Sequence, residues 1–383
     1  MTTQTPEIDP GDYRGTTPPP NQLPPVGERH WIERPADLVA MAHVLTEAPM
    51  LAIDVEFVSG NTRSVKESLQ PRLALIQIAD GTYAHCYVVD ALKCNDLSPL
   101  AEPFEDPSIV KIFHGVGSDV RVMAARNLHV VHTLDIEAVS RTIFGSRESG
   151  LQAMLQRACG FRMDKSLQRS DWLQRPLPTA MFAYAARDAE MTLALAHWLF
   201  EHYRWATDLY EDHPDDPLPD ELVALWLANF IQGERTFPPD LIVGAEQSAL
   251  AQDCIEALSQ LAKPSWRSRV LRAAADLALT EVTPHVMASL QARTGEERSA
   301  AARALGRLRA TSARDLLVAA VDDENFDVRR AAVAALEQLD LPPRIGRFAR
   351  AEAAESEPPP DDADTPWKAK LRGMLPDDDG PSA

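Results

Sequence analysis

Asp54 and Glu56 stand two residues apart in the run MLAIDVEFV, Met50 to Val58. In an extended strand, residues two apart leave the same face, so both carboxylates project together while Ile53 and Val55 turn to the other side. Like charges among apolar neighbours raise each other's pKa unless a cation occupies the space between them. Two further acids are placed to join the pair. Asp119 opens a helical pattern just beyond a short apolar strand at 109–113. Asp188 follows Tyr184 by four residues, which puts ring and carboxylate on one helix face. Oxygen donors without a Cys or His cluster suit hard divalent ions, Mg²⁺ or Mn²⁺, rather than zinc. Two such ions about 4 Å apart stabilise the attacking and leaving oxygens of an in-line phosphoryl displacement, which is the chemistry of nucleases. Each residue also has a plain structural reading: Asp119 as a helix N-cap, Tyr184 as a core aromatic, Asp54 and Glu56 on a solvated strand face.

The elements that must position these groups can be read from pattern. Met50 to Val58, Arg72 to Ala79 and Tyr83 to Asp90 are rich in β-branched residues, and Asp80-Gly81 is a hairpin signal, so the unit begins antiparallel. Helical spacing follows at about 117–127, 134–144, 150–158 and 178–203, which gives a mixed α/β sheet. From about Trp266 the texture changes to Ala, Arg and Leu with a period of 31 residues: Ala273, Ala304 and Ala335 fall in step, as do Leu277, Leu308 and Leu339, and Leu290 with Val321. The string DENFDVRRAAVAALEQL (Asp323 to Leu339) resembles the first helix of a short HEAT-like repeat, so an all-α HEAT-like solenoid is expected. An irregular Ala-rich bundle is the alternative. Arg267, Arg298 and Arg329 recur at the same period, either as a phosphate-tracking ridge or as members of inter-repeat Asp to Arg pairs, with Asp327 close by.

A chain of 383 residues has material for two or three folded units. The predicted division is a Pro-rich disordered arm at 1–28, an α/β unit at 29–204, an acidic connector with helices at 205–262, the repeats at 263–345, and a disordered acidic tail at 346–383. A formal net charge of −19 argues against a polyanionic partner, but its distribution does not. From Lys111 to Arg187 there are 11 Lys and Arg against 6 Asp and Glu, so the acidity lies in the connector and tail. The four cysteines are too few and scattered for a disulfide framework or a thiolate zinc site. With no apolar run of membrane-spanning length and no apolar leader, a cytoplasmic protein without a membrane partner is expected.

Taken in order, LAIDVEFV, LALIQIADG, KIFHGVGSDVRV, MDKSLQRSDWLQRPL and YAARDAEMTL resemble bacterial ribonuclease D and the wider DEDDy group of 3′→5′ exonucleases, over about Trp31 to Phe200. The resemblance implies a ribonuclease H-like mixed-sheet exonuclease fold, with Asp54 and Glu56 as the first motif, Asp119 as the second, and Tyr184 with Asp188 as the third. The tyrosine four before the final aspartate marks the y-type branch; the sister branch places a histidine where this chain has Ala183. It further implies that Asp54, Glu56 and Asp188 hold one divalent ion, Asp54 reaches a second, Asp119 contributes directly or through water, and Tyr184 positions the attacking water. The product is then a 5′-mononucleotide released from a free 3′ end, with RNA favoured over DNA as partner and tRNA or stable-RNA 3′ processing as the role. Two departures stand out: the segment between Glu56 and Gln77 is longer than the family pattern, and the repeats replace the paired helical HRDC domains.

Outside the motifs, His114 is a candidate either for substrate contact or for bracing the strand end. Lys165, Arg169 and Trp172 interleave cation and aromatic as suits a phosphate and a stacked terminal base, with a solvated edge and a core tryptophan as the alternative. Two rival functions use the same pattern: a 3′→5′ DNA exonuclease of repair, and an inactive exonuclease-fold scaffold. Thr365 and Pro366 can start a helix over Asp364 to Leu375 that carries Trp367, Leu371, Met374 and Leu375 on one stripe. Those residues, or the repeats, are the expected docking surface for a protein partner.

Overall fold

The computed structural model describes residues 27–58, 71–162, 166–233 and 247–340. Seven strands form one mixed sheet: β1 (Glu28–Ile32), β2 (Met50–Val58), β3 (Arg72–Asp80), β4 (His85–Asp90), β5 (Val110–Phe113), β6 (Thr133–Asp135) and β7 (Glu211–Asp212). Their order is β1-β4-β3-β2-β5-β6-β7. The central β2, β3 and β4 are antiparallel, as the Asp80-Gly81 signal predicts, and β5 pairs with β2 in parallel after a crossover. β1 and the helix that follows it, α1 (Pro35–Leu45), were not separated as elements by the sequence patterns. The sheet also runs on to Glu211–Asp212, inside the stretch expected to be connector.

Both faces of the sheet are covered. Ala52, Leu75 and Ala79 pack with Ile112 and Leu134 under α6 (Thr179–His202), together with α4 (Ile136–Phe144) and α5 (Leu151–Cys159). Ile53, Val55, Ile76 and Ile78 pack on the other face against α1, α2 (Ala101–Glu105) and α3 (Val116–Ala124). Burial on both sides explains why β3 reads as an almost unbroken apolar run rather than an alternating one. The long α6 is rich in Ala, Leu and Met, which form helix readily, and it starts directly after Pro178. α7 (Arg204–Tyr210) continues from it. The four cysteines are free, and Cys86, Cys94 and Cys254 are buried thiols. Among the described residues, no helix is long and apolar enough to cross a membrane.

After α8 (Pro219–Leu222), α9 (Leu225–Gln232) and α10 (Gln247–Gln260) comes the repeat array. Its helices α11 (Pro264–Asp276), α13 (Gly295–Arg307) and α15 (Phe326–Asp340) begin 31 residues apart, alternating with the shorter α12 (Thr283–Ser289) and α14 (Arg314–Ala320). Ala273, Ala304 and Ala335 are all buried at the helix contacts, where a small side chain lets the backbones approach. The periodic arginines are internal fasteners. Arg267 pairs with Glu297 at 2.7 Å and Arg298 with Asp323 at 2.8 Å, while Arg329 donates to the carbonyls of Asp323 and Glu324. The phosphate ridge is thereby disfavoured, since Arg267 and Arg298 are held in carboxylate pairs and Arg329 turns Nη1 to the backbone.

Asp327 does not join that ladder across repeats. It accepts from the backbone N–H and hydroxyl of Ser146, at 2.9 and 2.8 Å, just beyond the end of α4. Next to it, Asn325 is buried and donates through Nδ2 to the carbonyls of Arg141 and Thr142. Those carbonyls belong to the last turn of α4, where Arg141 also accepts from the Gly145 N–H at 2.9 Å and Thr142 is left for Asn325. The array thus caps a helix of the α/β unit. The fit is tight, since a Cβ on Gly295 would lie 2.3 Å from Asn325 Nδ2 and 3.0 Å from the Thr142 carbonyl. Tyr210 of α7, hydrogen-bonded to Glu296 of α13 and Thr142 of α4, closes the same contact.

Replacing Asn325 by Ala strands the Thr142 carbonyl at a buried boundary, at a cost of about 1–3 kcal/mol. Calorimetric unfolding of Asn325→Ala is expected to separate the α/β unit from the array into two transitions. A single transition at the wild-type temperature would show that the cap does not couple them.

Candidate active site

The site lies on the α6 side of the sheet, at the end of the β2 pleat. Asp54 and Glu56 project from β2 toward α6, as their spacing requires, and Asp188 descends from α6 to meet them. One carboxylate oxygen from each of Asp54, Glu56 and Asp188 falls within 4.8 Å of the others. Asp119, in the first turn of α3 and almost fully buried, completes the ring of charge without joining that tight trio. Its carboxylate accepts from the Ser118 hydroxyl at 3.0 Å. Tyr184, one turn before Asp188, carries its hydroxyl into the field of the Asp188, Glu56 and Asp54 carboxylates.

Burial and mutual repulsion govern the ionisation of this cluster. Burial pushes the Asp54 carboxyl well above its ordinary range, and Asp188, Asp119 and Glu56 push it further. Glu56 is raised to about 8, first by burial and then by Asp188 and Asp119. Asp119 is raised to about 6 by burial, against the Ser118 hydrogen bond, which lowers it. The Tyr184 hydroxyl is also held above its usual value, by burial first and then by the three nearby carboxylates, so it stays protonated. Four oxygen donors that cannot all ionise alone fit a divalent cation, which would lower every one of these pKa values at once.

Three supports hold the geometry. β2 and β3 slip register between Glu56 and Phe57, so Ala74 is passed over. Its carbonyl accepts from the Ala91 N–H at 3.1 Å and from Arg175 Nη2 at 3.2 Å. Arg175 also grips Asp90 of β4 through two hydrogen bonds of 2.7 Å, which fastens the segment before α6 to the sheet. At the far side of α6, Glu190 receives Arg29 of β1 through two bonds of 2.6 Å, fixing the helix rotation two residues beyond Asp188.

The other candidates separate. His114 turns its Nε2 to the Ser149 carbonyl at 2.9 Å, tying the end of β5 to the turn before α5, which is the bracing alternative. Trp172 is buried at 3% exposure with its ring 6.1 Å from that of Tyr184, so it packs the back of the tyrosine and offers no face to a base. That burial favours the core-tryptophan alternative over stacking on a base. Arg169 is exposed, and Lys165 and the segment 364–375 lie outside the described residues. Sequence reasoning passed over Gln77, which sits opposite Asp54 in the β2–β3 register and is completely buried, with neither amide atom hydrogen-bonded among the described residues. A polar residue inside the apolar run LALIQIA was the available signal. Arg175 with Asp90 and Arg29 with Glu190 gave none, being 85 and 161 residues apart.

Residues 29–202 match the family model described as 3′-5′ exonuclease, and residues 283–351 match the model for HEAT repeats. Both parts of the resemblance read from the motifs are thus matched. Protein RRP6-like 3 of Arabidopsis thaliana is 32% identical over 49% of this chain and 20% of its own length. Ribonuclease D of Pseudomonas paraeruginosa is 30% identical over 46% of each chain. Exosome complex component 10 of Rattus norvegicus is 31% identical over 55% of this chain and 23% of its own. The chain therefore spans less than half the length of each of these three relatives.

A carboxyl with a folded pKa above its unfolded value favours the protonated folded form, so its contribution to stability falls as pH rises between the two values. For Glu56 that window runs from 4.5 to about 8. Chelator-treated protein is expected to lose thermal stability between pH 5.5 and 7.5, and Asp188→Asn to lose less, because one repelling charge is gone. Thermal unfolding at the two pH values, with and without Mn²⁺, checks this; equal losses in both proteins would contradict the assignment.

Proposed function

We propose that this chain is a divalent-metal-dependent 3′→5′ exoribonuclease of the ribonuclease D type, acting in the processing of structured RNA 3′ ends. The observation that carries the reading is the convergence of Asp54, Glu56 and Asp188 within 4.8 Å. Asp54, Glu56 and Asp188 would hold one ion, and Asp54 would be shared with a second that Asp119 supports directly or through water. Mg²⁺ or Mn²⁺, when bound, supplies the positive charge that stabilises the attacking and leaving oxygens of an in-line displacement. Tyr184 keeps its proton and is a poor base, so its hydroxyl orients the attacking water. Trp172 packs beside the ring, with centroids 6.1 Å apart.

RNA as the substrate is supported by the ribonuclease and exosome names of the relatives rather than by any residue that reads a 2′-hydroxyl. A DNA exonuclease would use the same carboxylates, because two-metal cleavage does not involve that group. The presence of all four acids and the tyrosine weighs against an inactive scaffold.

Asp54→Asn and Asp188→Asn are each expected to lower the rate of release of 5′-mononucleotides by about 10²-fold or more while the fold is kept. Tyr184→Phe is expected to lower turnover far more than Mn²⁺ affinity measured by calorimetry. A folded wild type that degrades no 3′-hydroxyl oligonucleotide in Mg²⁺ or Mn²⁺ would end the proposal. Matched RNA and DNA oligonucleotides at one salt concentration test the substrate, with a higher kcat/KM on DNA favouring the repair enzyme.

A further inference from the structure

Among the described residues, one other group of side chains brings metal-ligating atoms within 4.8 Å of one another: Glu28, His30 and His85. Glu28 and His30 are two apart on β1 and so leave the same face of the sheet. β1 runs parallel to β4 in a register that sets Glu28 across from His85 and His30 across from Tyr87. The face they share also carries Ile32, Tyr87 and Val89 into the core beneath α1. It is the face opposite to the one bearing Asp54.

The two rings are already close to a chelating arrangement. His30 Nε2 faces His85 Nδ1 at 3.0 Å, where one nitrogen must donate to the other. Imidazole nitrogens bound to one tetrahedral ion at about 2.05 Å stand about 3.3 Å apart, so an opening of a few tenths of an ångström admits it. The hydrogen between the rings then moves to the outer nitrogen of the ring that carried it, which leaves both inner nitrogens free to bind. His30 is stacked on Tyr87, with centroids 4.9 Å apart and planes 22° apart, which holds its ring in the chelating plane. Asp80 accepts from the backbone N–H of His85 at 2.8 Å and from Thr82, so the turn that delivers His85 is also fixed. Glu28 is exposed and the two histidines are half-buried, which leaves an open path from solvent.

We propose that Glu28, His30 and His85 form a second metal site, specific for a zinc-class transition ion. The donor set decides the class. Two imidazoles and one carboxylate favour Zn²⁺ over Mg²⁺, whereas the all-oxygen group around Asp54 favours the reverse. Three protein ligands leave the fourth position to water. The ion ties the edge strand β1 to β4. Arg29, between two of the ligands, points through the sheet to Glu190 on α6, so the strand it secures is also the one that clamps the helix of Asp188.

The inference does not rest on the exonuclease reading, and its test does not use activity. Full-length protein in excess Mg²⁺, which occupies the oxygen site, is titrated with Zn²⁺ by calorimetry. One tight equivalent is expected, with affinity at least about tenfold weaker in His30→Ala/His85→Ala and reduced in Glu28→Gln, whose exposed position spares the fold. Zinc-edge X-ray absorption of the wild type keeps the test independent of variant folding and is expected to show two imidazoles around the ion. Unchanged zinc affinity in the folded double variant, or a spectrum without imidazole scattering, would overturn the proposal.

Discussion

Mutual repulsion among Asp54, Glu56, Asp119 and Asp188 is the constraint to which the surrounding structure answers. Two full charges 4.8 Å apart repel by about 3.5 kcal/mol at an effective dielectric near 20. One intramolecular hydrogen bond returns only about 1 kcal/mol. No single contact can therefore hold the cluster in place, and none is asked to. The acids come from three elements, β2, α3 and α6, each anchored in a different part of the core, so that relieving the repulsion would require moving a whole strand or helix through packed side chains.

The anchors follow a common pattern. Asp90 is fully buried and would be costly as a lone charge, yet Arg175 meets both of its oxygens and spends its remaining donors on backbone carbonyls. Glu190 with Arg29 is the same solution on the other side of α6. Bidentate guanidinium pairs fix direction as well as distance, which matters more here than their net energy, because the rotation of α6 sets where Asp188 and Tyr184 point. The array adds a third restraint through Asn325 on α4, the helix that packs beside α6.

Much of this was legible in the residue pattern, and the reasons are local. A strand's two-residue period placed Asp54 beside Glu56, a helix's four-residue offset placed Tyr184 above Asp188, and a 31-residue period located the repeats. What escaped depends on the third dimension. β1 has no neighbour in sequence to pair with, since its partner β4 lies more than fifty residues on. Trp172 in a polar segment looks like a recognition residue until the sheet and Tyr184 close around it. Asp327 reads as part of the repeat ladder, but the ladder is complete without it and its carboxylate turns to Ser146.

The short strand β7 has a consequence out of proportion to its two residues. It pairs antiparallel with β6, which otherwise ends the sheet. The match to the exonuclease family closes at residue 202, before β7 begins. A protein trimmed to that boundary would keep every carboxylate yet leave the backbone donors and acceptors of Thr133 and Leu134 facing water, an adhesive margin that invites a second molecule to add its own strand. The folded unit of this protein is therefore set by where its sheet is sealed, some ten residues beyond where the family match stops.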